Sequence, residues 1–148
     1  MKTSKSEKIT NFKNNEIVSD LNYDNDKDVL YFDLTNNHFR QIFTINLFDS
    51  SMVKLIDSDS FDHRQISTSK EFYVFSDDRS GIHNLYYVGE NNQGYISNTS
   101  GGSFMPDINR NSEIVYSVFE NGKFKIAIID SFELSLIHIS EPTRPPEI

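Results

Sequence analysis

The chain has 148 residues, a formal net charge of −8 and a pI near 4.9. This acidic balance disfavours nucleic acid and anionic membrane surfaces as partners, because both require a cationic face. There is no cysteine, which excludes disulfides, zinc–thiolate sites and cysteine nucleophiles, and the apolar runs are too short for insertion into a membrane.

Residues 1–20 are predicted to form a polar N-terminal segment, rich in Lys and Asn over its first fifteen positions. Such a composition is typical of a disordered stretch or of the remnant of a preceding segment. The stretch lacks the apolar core of a signal peptide. The residues themselves therefore leave the cellular compartment open.

Three similar stretches follow, each with a short apolar run, a polar turn and a second apolar run ten positions further on. The equivalent pairs are Phe32 and Ile42, Phe75 and Leu85, and Tyr116 and Ile126, so the repeats recur at 43 and 41 residues. A fixed period of this size, built from strands alone, is typical of propeller blades. We therefore predict an all-β fold over residues 21–133, a partial β-propeller with about two to three four-stranded antiparallel blades.

The predicted strands are 28–34, 40–47 and 52–56 in the first repeat, 64–67, 71–76, 84–88 and 94–98 in the second, and 113–118 and 124–130 in the third, which opens at Gly101. Asn121–Gly122 between two alternating runs is a strong hairpin signal. Three sets of residues are expected at equivalent places: Tyr31, Val74 and Val115; Phe43, Tyr86 and Ala127; and Phe32, Phe75 and Tyr116. The last set is expected to share one sheet face and to be largely buried between adjacent blades.

Residues 134–148 differ in origin from the repeats, as their sequence indicates. The string from Leu134 to Arg144 matches, codon by codon, the translation of a widely used transposase sequencing adapter, and Pro145 to Ile148 fits the continuation of the same reading frame. We therefore interpret 134–148 as an adapter-derived, non-native tail and leave it out of the fold prediction.

Two groups of polar residues resemble a catalytic site and a calcium site, but turn formation explains both better. Asp77, Asp78 and Arg79 could form an acid pair with an arginine clamp, yet a tight turn uses the same residue types, with the arginine holding a carboxylate. Residues 24–28 begin like a calcium loop, but Val29 and Thr35 occupy the places where an EF-hand needs Gly and Glu.

The densest potential ligand cluster is Asp57, Asp59, Asp62 and His63, whose spacing matches no metal motif and which we interpret as a solvated acidic loop. The other histidines, His38, His83 and His138, are scattered. No Gly-x-Ser-x-Gly motif and no phosphate-binding glycine loop is present. We therefore predict no catalytic residue, no cofactor and no metal site, and no enzymatic activity in this chain.

Residues 75–86, a β-run followed by Ser76-Asp77-Asp78-Arg79-Ser80-Gly81 and then Leu85-Tyr86, resemble the repeat of TolB-type propellers. Residues 102–107 are similar to the entry between blades in that family, with a degraded Ser-Pro-Asp-Gly box. The resemblance implies a periplasmic or secreted bacterial protein, usually of six blades, that binds a protein partner without catalysis, in an envelope or transport system. The alternative that it leaves open is the gating propeller of a prolyl-oligopeptidase-like or tricorn-like serine peptidase, whose active site would lie outside this sequence.

Overall fold

A computed structural model describes residues 4–36, 39–57 and 60–130. Across these ranges the chain is all-β, with eleven strands and no helix. The strands are β1 (Ile17–Asp24), β2 (Val29–Thr35), β3 (Arg40–Asn46), β4 (Met52–Lys54), β5 (His63–Thr68), β6 (Phe72–Asp77), β7 (Asn84–Gly89), β8 (Gln93–Tyr95), β9 (Ser103–Ile108), β10 (Ile114–Glu120) and β11 (Lys123–Ile129). No helix in this described part is long and apolar enough to cross a membrane.

The strands form three antiparallel sheets, here called blades 1, 2 and 3. Blade 1 has the order β1-β2-β3-β4, blade 2 the order β5-β6-β7-β8 and blade 3 the order β9-β10-β11. The central hairpins share one register: Phe32 pairs with Phe43, Phe75 with Tyr86, and Tyr116 with Ala127. The all-β fold and the repeat equivalence predicted from the sequence are thereby confirmed.

The blades pack face to face in chain order. We call the side of each blade that points to the preceding blade its front, and the opposite side its rear. Tyr31 and Ile42 on the rear of blade 1 join Phe75 and Tyr86 on the front of blade 2 in one apolar cluster. A second cluster joins the rear of blade 2 to the front of blade 3, where Leu85 meets Ile114 and the half-buried Tyr116. Blade 2, which lies between the other two, thus buries both faces.

Phe32 is buried differently from the other two residues of its set. Phe75 and Tyr116 lie between adjacent blades, as predicted. Phe32, 2% exposed, lies on the front of blade 1, where the N-terminal segment contributes Phe12 with a ring-centroid separation of 6.5 Å. The segment therefore occupies the place that a preceding blade holds elsewhere.

The first strand, β1 (Ile17–Asp24), was not predicted, because the first strand expected from the sequence was 28–34 and residues 17–20 were assigned to the polar N-terminal segment. Its polar residues concealed the strand, but Ile17 pairs with Thr35 and Val18 with Leu34, so the backbone is held by the ladder to β2. Residues 4–16 precede it as irregular chain. The predictions for residues 131–133 and for the tail 134–148 lie outside the described residues.

Each blade carries a β-bulge in its first, innermost strand. In blades 1 and 2 the bulges fall between Ser19 and Asn22 and between Arg64 and Ser67. In blade 3 the bulge lies opposite the stretch from Val115 to Ser117. The residues of the second strand that the pairing skips are Phe32, Phe75 and Tyr116. One residue of each bulge has a left-handed backbone: Asp20 (φ 51°), Gln65 (φ 61°) and Met105 (φ 52°). The extra residue therefore always lies opposite the repeated aromatic side chain, a regularity that the sequence did not reveal.

Candidate functional site

The charged residues converge at one end of blades 1 and 2, which we call the network end. The turns after β2, β4 and β6 all emerge there, because antiparallel neighbours alternate in direction. The turns after β1, β5 and β7 emerge at the opposite end. Side chains from three separate turns can therefore meet at the network end.

A buried ion pair lies at the base of the network end. Arg40, the first residue of β3, donates from Nε to Asp33 Oδ2 at 2.8 Å, and its Nη2 also pairs with Asp20. The Asp33 side chain is fully buried, and both of its oxygens accept the backbone N–H of Gln65 in blade 2, at 3.1 and 3.0 Å. Burial raises the pKa of Asp33 to about 6, although the Gln65 N–H and the Arg40 guanidinium oppose the rise. The Asp33 carboxylate thus links blade 1 to blade 2.

Asp62 links the turns above this pair. Its carboxylate accepts the backbone N–H of Arg40 at 3.0 Å and the Nη2 of Arg64 at 2.7 Å. Its own N–H donates to Asp78 Oδ1 at 2.7 Å, and the Asp78 N–H donates back to the Asp62 carbonyl at 3.1 Å. The turn after β4 and the turn after β6 are therefore fixed to each other and to the start of β3.

Asp62, Asp78 and His83 form a group whose potential ligand atoms lie within 4.8 Å of one another. His83 Nε2 is buried without a hydrogen-bond partner, and burial together with Arg64 lowers the pKa of its imidazole. A divalent cation would need free carboxylate oxygens. Both oxygens of Asp62 already accept hydrogen bonds, one from the Arg64 guanidinium, so the chemistry favours a polar clamp between turns over a metal centre.

The residues interpreted from the sequence as a solvated acidic loop separate in the structure, and that interpretation is wrong for His63. Asp62 joins the clamp, Asp57 is exposed, and Asp59 lies outside the described residues. His63 turns into the core, where it is fully buried between the rings of Phe61 and Phe75, at centroid distances of 5.7 and 5.9 Å. The predicted neighbours are therefore separated by the alternation of β5.

Neither ring nitrogen of His63 has a hydrogen-bond partner. Burial is the largest cause that lowers the pKa of His63, to about 4, and the neighbouring Asp77 carboxylate only partly opposes it. The imidazole is consequently neutral at pH 7 and packs as an aromatic ring rather than as a ligand or a base.

Asp77 and Arg79 hold the turn after β6, as the sequence predicted. Asp77 is fully buried and accepts Arg79 Nε at 2.9 Å, Arg79 Nη2 at 2.8 Å and the Tyr95 hydroxyl at 2.8 Å. The guanidinium lies over the rings of Phe61 and Tyr86, 4.4 and 4.1 Å from their centroids. In the sequence Asp77 resembled a catalytic acid. In the structure its carboxylate is held by hydrogen bonds from Arg79 and Tyr95 that stabilise the turn.

The calcium-like stretch 24–28 is the turn between β1 and β2. The buried carboxylate of Asp24 accepts the backbone N–H groups of Asp26 at 3.0 Å and Lys27 at 3.1 Å. An Asx turn uses the carboxylate in this way without a cation. Of the remaining histidines singled out in the sequence, His38 and His138 lie outside the described residues.

The opposite end of the blades carries an open groove of about 500 Å³. Charged residues of three turns line it, namely Asp26, Lys70, Glu71 and Arg110. No ion pair joins these four side chains in the described part of the structure. This end therefore lacks the cross-linking that fixes the network end.

No family model and no curated protein matches the chain. Among solved structures, the crystal structure of TolB from Acinetobacter baumannii is similar over 91% of this chain, with a TM-score of 0.66 and 18% sequence identity. The fold is that of a TolB-like β-propeller. At this identity the similarity establishes the TolB-like fold, and the chain spans 34% of the length of that TolB chain.

Proposed function

We propose that this TolB-like propeller is a non-catalytic module that binds a protein partner through its network end. The observation that carries the proposal is the polar network at this end, in which Asp33 and Asp62 link separate segments and Asp77 holds the turn after β6. The carboxylates of all three are engaged by arginines or backbone N–H groups. Hydrogen-bonded carboxylates of this kind stiffen the surface that they support. A rigid polar surface lowers the entropy that association must overcome.

A periplasmic or secreted location, in a bacterial envelope or transport system, belongs to the same proposal. It is supported by the TolB-like fold and by the resemblance of residues 75–86 to the TolB repeat. The alternative role as the gating domain of a serine peptidase stays a prediction, because its active site would lie outside this sequence.

The test uses two matched charge reversals on the full chain. Asp57→Lys changes an exposed residue in the turn after β4, at the network end, and Glu90→Lys changes an exposed residue in the turn after β7, at the opposite end. The immobilised chain and both variants are incubated with an envelope protein extract from a Gram-negative bacterium, and the retained proteins are quantified by mass spectrometry. We expect proteins retained by the unmodified chain and by Glu90→Lys to be lost with Asp57→Lys.

Equal loss with both variants would show that net charge, rather than the network end, governs binding. Retention of no protein by the unmodified chain would contradict the binding role. Hydrolysis of a fluorogenic proline peptide by the purified chain would contradict the non-catalytic role and favour the peptidase alternative.

A further inference from the structure

The turn between β10 and β11 contains the only Asn-Gly pair in the sequence, Asn121–Gly122. The strands pair as far as Glu120 and Lys123, so these two residues alone make the turn. Both have a left-handed backbone, with φ of 52° and 74°, as a two-residue type I′ turn requires. The same pair is chemically reactive, and the proposed binding function does not use that reactivity.

An asparagine that precedes a glycine can lose its side-chain amide in water without an enzyme. The backbone nitrogen of the glycine gives up its proton and attacks the asparagine Cγ, and ammonia leaves as a succinimide ring closes. Glycine favours this step because it has no Cβ beside the attacking nitrogen and because its backbone rotates freely. Water then opens the ring at either carbonyl, which leaves aspartate or isoaspartate. The reaction consumes water, releases ammonia and needs no oxidant.

The structure leaves both reacting groups accessible. Asn121 and Gly122 are exposed, and within the described chain neither the Asn121 amide nor the Gly122 N–H makes a hydrogen bond. A Cβ placed on Gly122 would meet no atom within 4 Å, so nothing packs against the attacking nitrogen. The buried Asn84 shows the opposite case, because its side-chain oxygen is held by the backbone N–H of Thr99 at 2.8 Å. The Asn121 amide is therefore free to turn towards the Gly122 nitrogen.

The exposure of this turn does not depend on a neighbouring blade. The equivalent turn of blade 2 is exposed at Gly81, although blade 3 packs against the face of blade 2. The succinimide ring holds the asparagine backbone outside the type I′ conformation, so the turn must open before the ring closes. Opening breaks only the last pairing, Glu120 with Lys123, and the exposed ion pair of Glu120 with Lys125 at 3.1 Å. Such an exposed hairpin end opens far more readily than the core.

We propose that Asn121 is a site of spontaneous deamidation in the folded chain, where a carboxylate of aspartate or isoaspartate replaces the amide. The added carboxylate changes the formal net charge from −8 to −9. Aspartate before glycine still suits the turn. Isoaspartate adds one atom to the main chain, so the turn no longer places Glu120 opposite Lys123. This proposal does not depend on the proposed binding function of the network end.

The test incubates the folded full chain in mildly acidic and in alkaline buffer. Ion-exchange chromatography separates the more acidic form, fragmentation mass spectrometry locates the change, and labelling by an isoaspartate methyltransferase reports the isoaspartate linkage. Asn121→Gln removes the reactive amide, because glutamine would have to close a larger ring, and Gly122→Ala keeps Asn121 but hinders the nitrogen. Asn111→Gln is the matched control, since Asn111 is also exposed but precedes Ser112. Circular dichroism checks that each variant keeps its strand content.

We expect an acidic form that maps to Asn121 and accumulates faster in alkaline buffer, since the Gly122 nitrogen must lose its proton. Asn121→Gln should abolish this form, Gly122→Ala should slow its appearance, and Asn111→Gln should leave it unchanged. A change that maps to another asparagine, or that persists in Asn121→Gln, would overturn the proposal. So would a folded chain that stays unmodified while a synthetic peptide of residues 118–125 deamidates beside it, because the turn would then protect Asn121.

Discussion

The contact between blades 1 and 2 and the contact between blades 2 and 3 fill equivalent positions with different chemistry. Asp33 on the rear of blade 1 accepts the Gln65 N–H of the next blade. Ser76, its equivalent on the rear of blade 2, donates from Oγ to the Ser103 carbonyl of the next blade at 2.6 Å. One repeat position therefore cross-links the blades with a buried charge in the first contact and with a neutral hydroxyl in the second.

The first contact also buries the neutral ring of His63 and the ion pair of Asp77 with Arg79. The second contact adds a hydrogen bond from the Ile108 N–H to Ser67 Oγ at 3.0 Å. The difference teaches that the fold requires a polar link at this position but does not require charge. Stability should consequently depend on pH through the first contact and not through the second.

The largest effect that we expect comes from the aromatic residues at the two contacts. Phe75→Ala should lower the free energy of unfolding by about 3–5 kcal/mol, because Phe75 is fully buried in the first contact. Tyr116→Ala should cost less, about 1–2 kcal/mol, because the equivalent Tyr116 is only half-buried. Urea denaturation followed by tyrosine fluorescence and circular dichroism measures both losses.

Equal losses for the two variants would show that the two contacts are packed alike, against the structure. If Phe75→Ala does not fold, Phe75→Leu provides the milder comparison, with an expected cost of about 1 kcal/mol.

The next prediction concerns His63 and Asp33, whose pKa values move in opposite directions. His63 has a pKa of about 4 in the folded chain and 6.5 as its ordinary value, so its contribution to stability is present above pH 6.5 and is lost as the pH falls through 4. Asp33 has a pKa of about 6 in the folded chain and 3.8 as its ordinary value, so its contribution is present below pH 3.8 and is lost as the pH rises through 6. Each difference corresponds to about 3 kcal/mol.

Between about pH 4.5 and 6 the effects of His63 and Asp33 on the pH dependence of stability should cancel, because unfolding adds a proton at His63 and releases one at Asp33. His63→Leu should therefore make the chain more stable as the pH falls across this range, and Asp33→Asn should make it less stable. Urea midpoints at several pH values measure the slopes. Slopes of the same sign in both variants would contradict the assignment of opposite roles to the two groups.

The smallest effect is expected at the neutral cross-link of the second contact. Ser76→Ala should cost about 1 kcal/mol, because it leaves the Ser103 carbonyl without its buried donor. The cost should be the same from about pH 4.5 to 6.5, since no titrating group is involved. Ser100→Ala, at an exposed residue, is the control and should be neutral. A cost that changes with pH would break the contrast between the two contacts.

The sequence predicts the hairpins well because their signals are local. The ten-residue spacing from Phe75 to Leu85 fixes a strand, a turn and a returning strand, and the structure confirms the same register in all three repeats. β1 was missed because polar residues interrupt its apolar ones and because its pairing with β2, rather than its composition, makes it a strand.

The polar network could not be predicted because its members are distant along the chain. Asp62 and Asp78 are brought together by the return of β6 beside β5, and Arg40 reaches them from a different blade. The sequence did hold one signal, the repeat period. Arg40 and His83 stand eight positions after Phe32 and Phe75, so Arg40 begins β3 and His83 immediately precedes β7, at the same end of their blades. Which partner each residue takes depends on three-dimensional packing that spacing alone does not encode.

The bulge in each innermost strand has a consequence for how such a chain can change in length. Because side chains alternate along a strand, removing the extra residue at Gln65 would turn either His63 or Ser67 to the wrong side of blade 2. The outer turns have no such constraint, and they already differ, with five residues between β3 and β4 and three between β7 and β8. Insertions and deletions should therefore be tolerated at the rim of each blade and rejected at its inner strand.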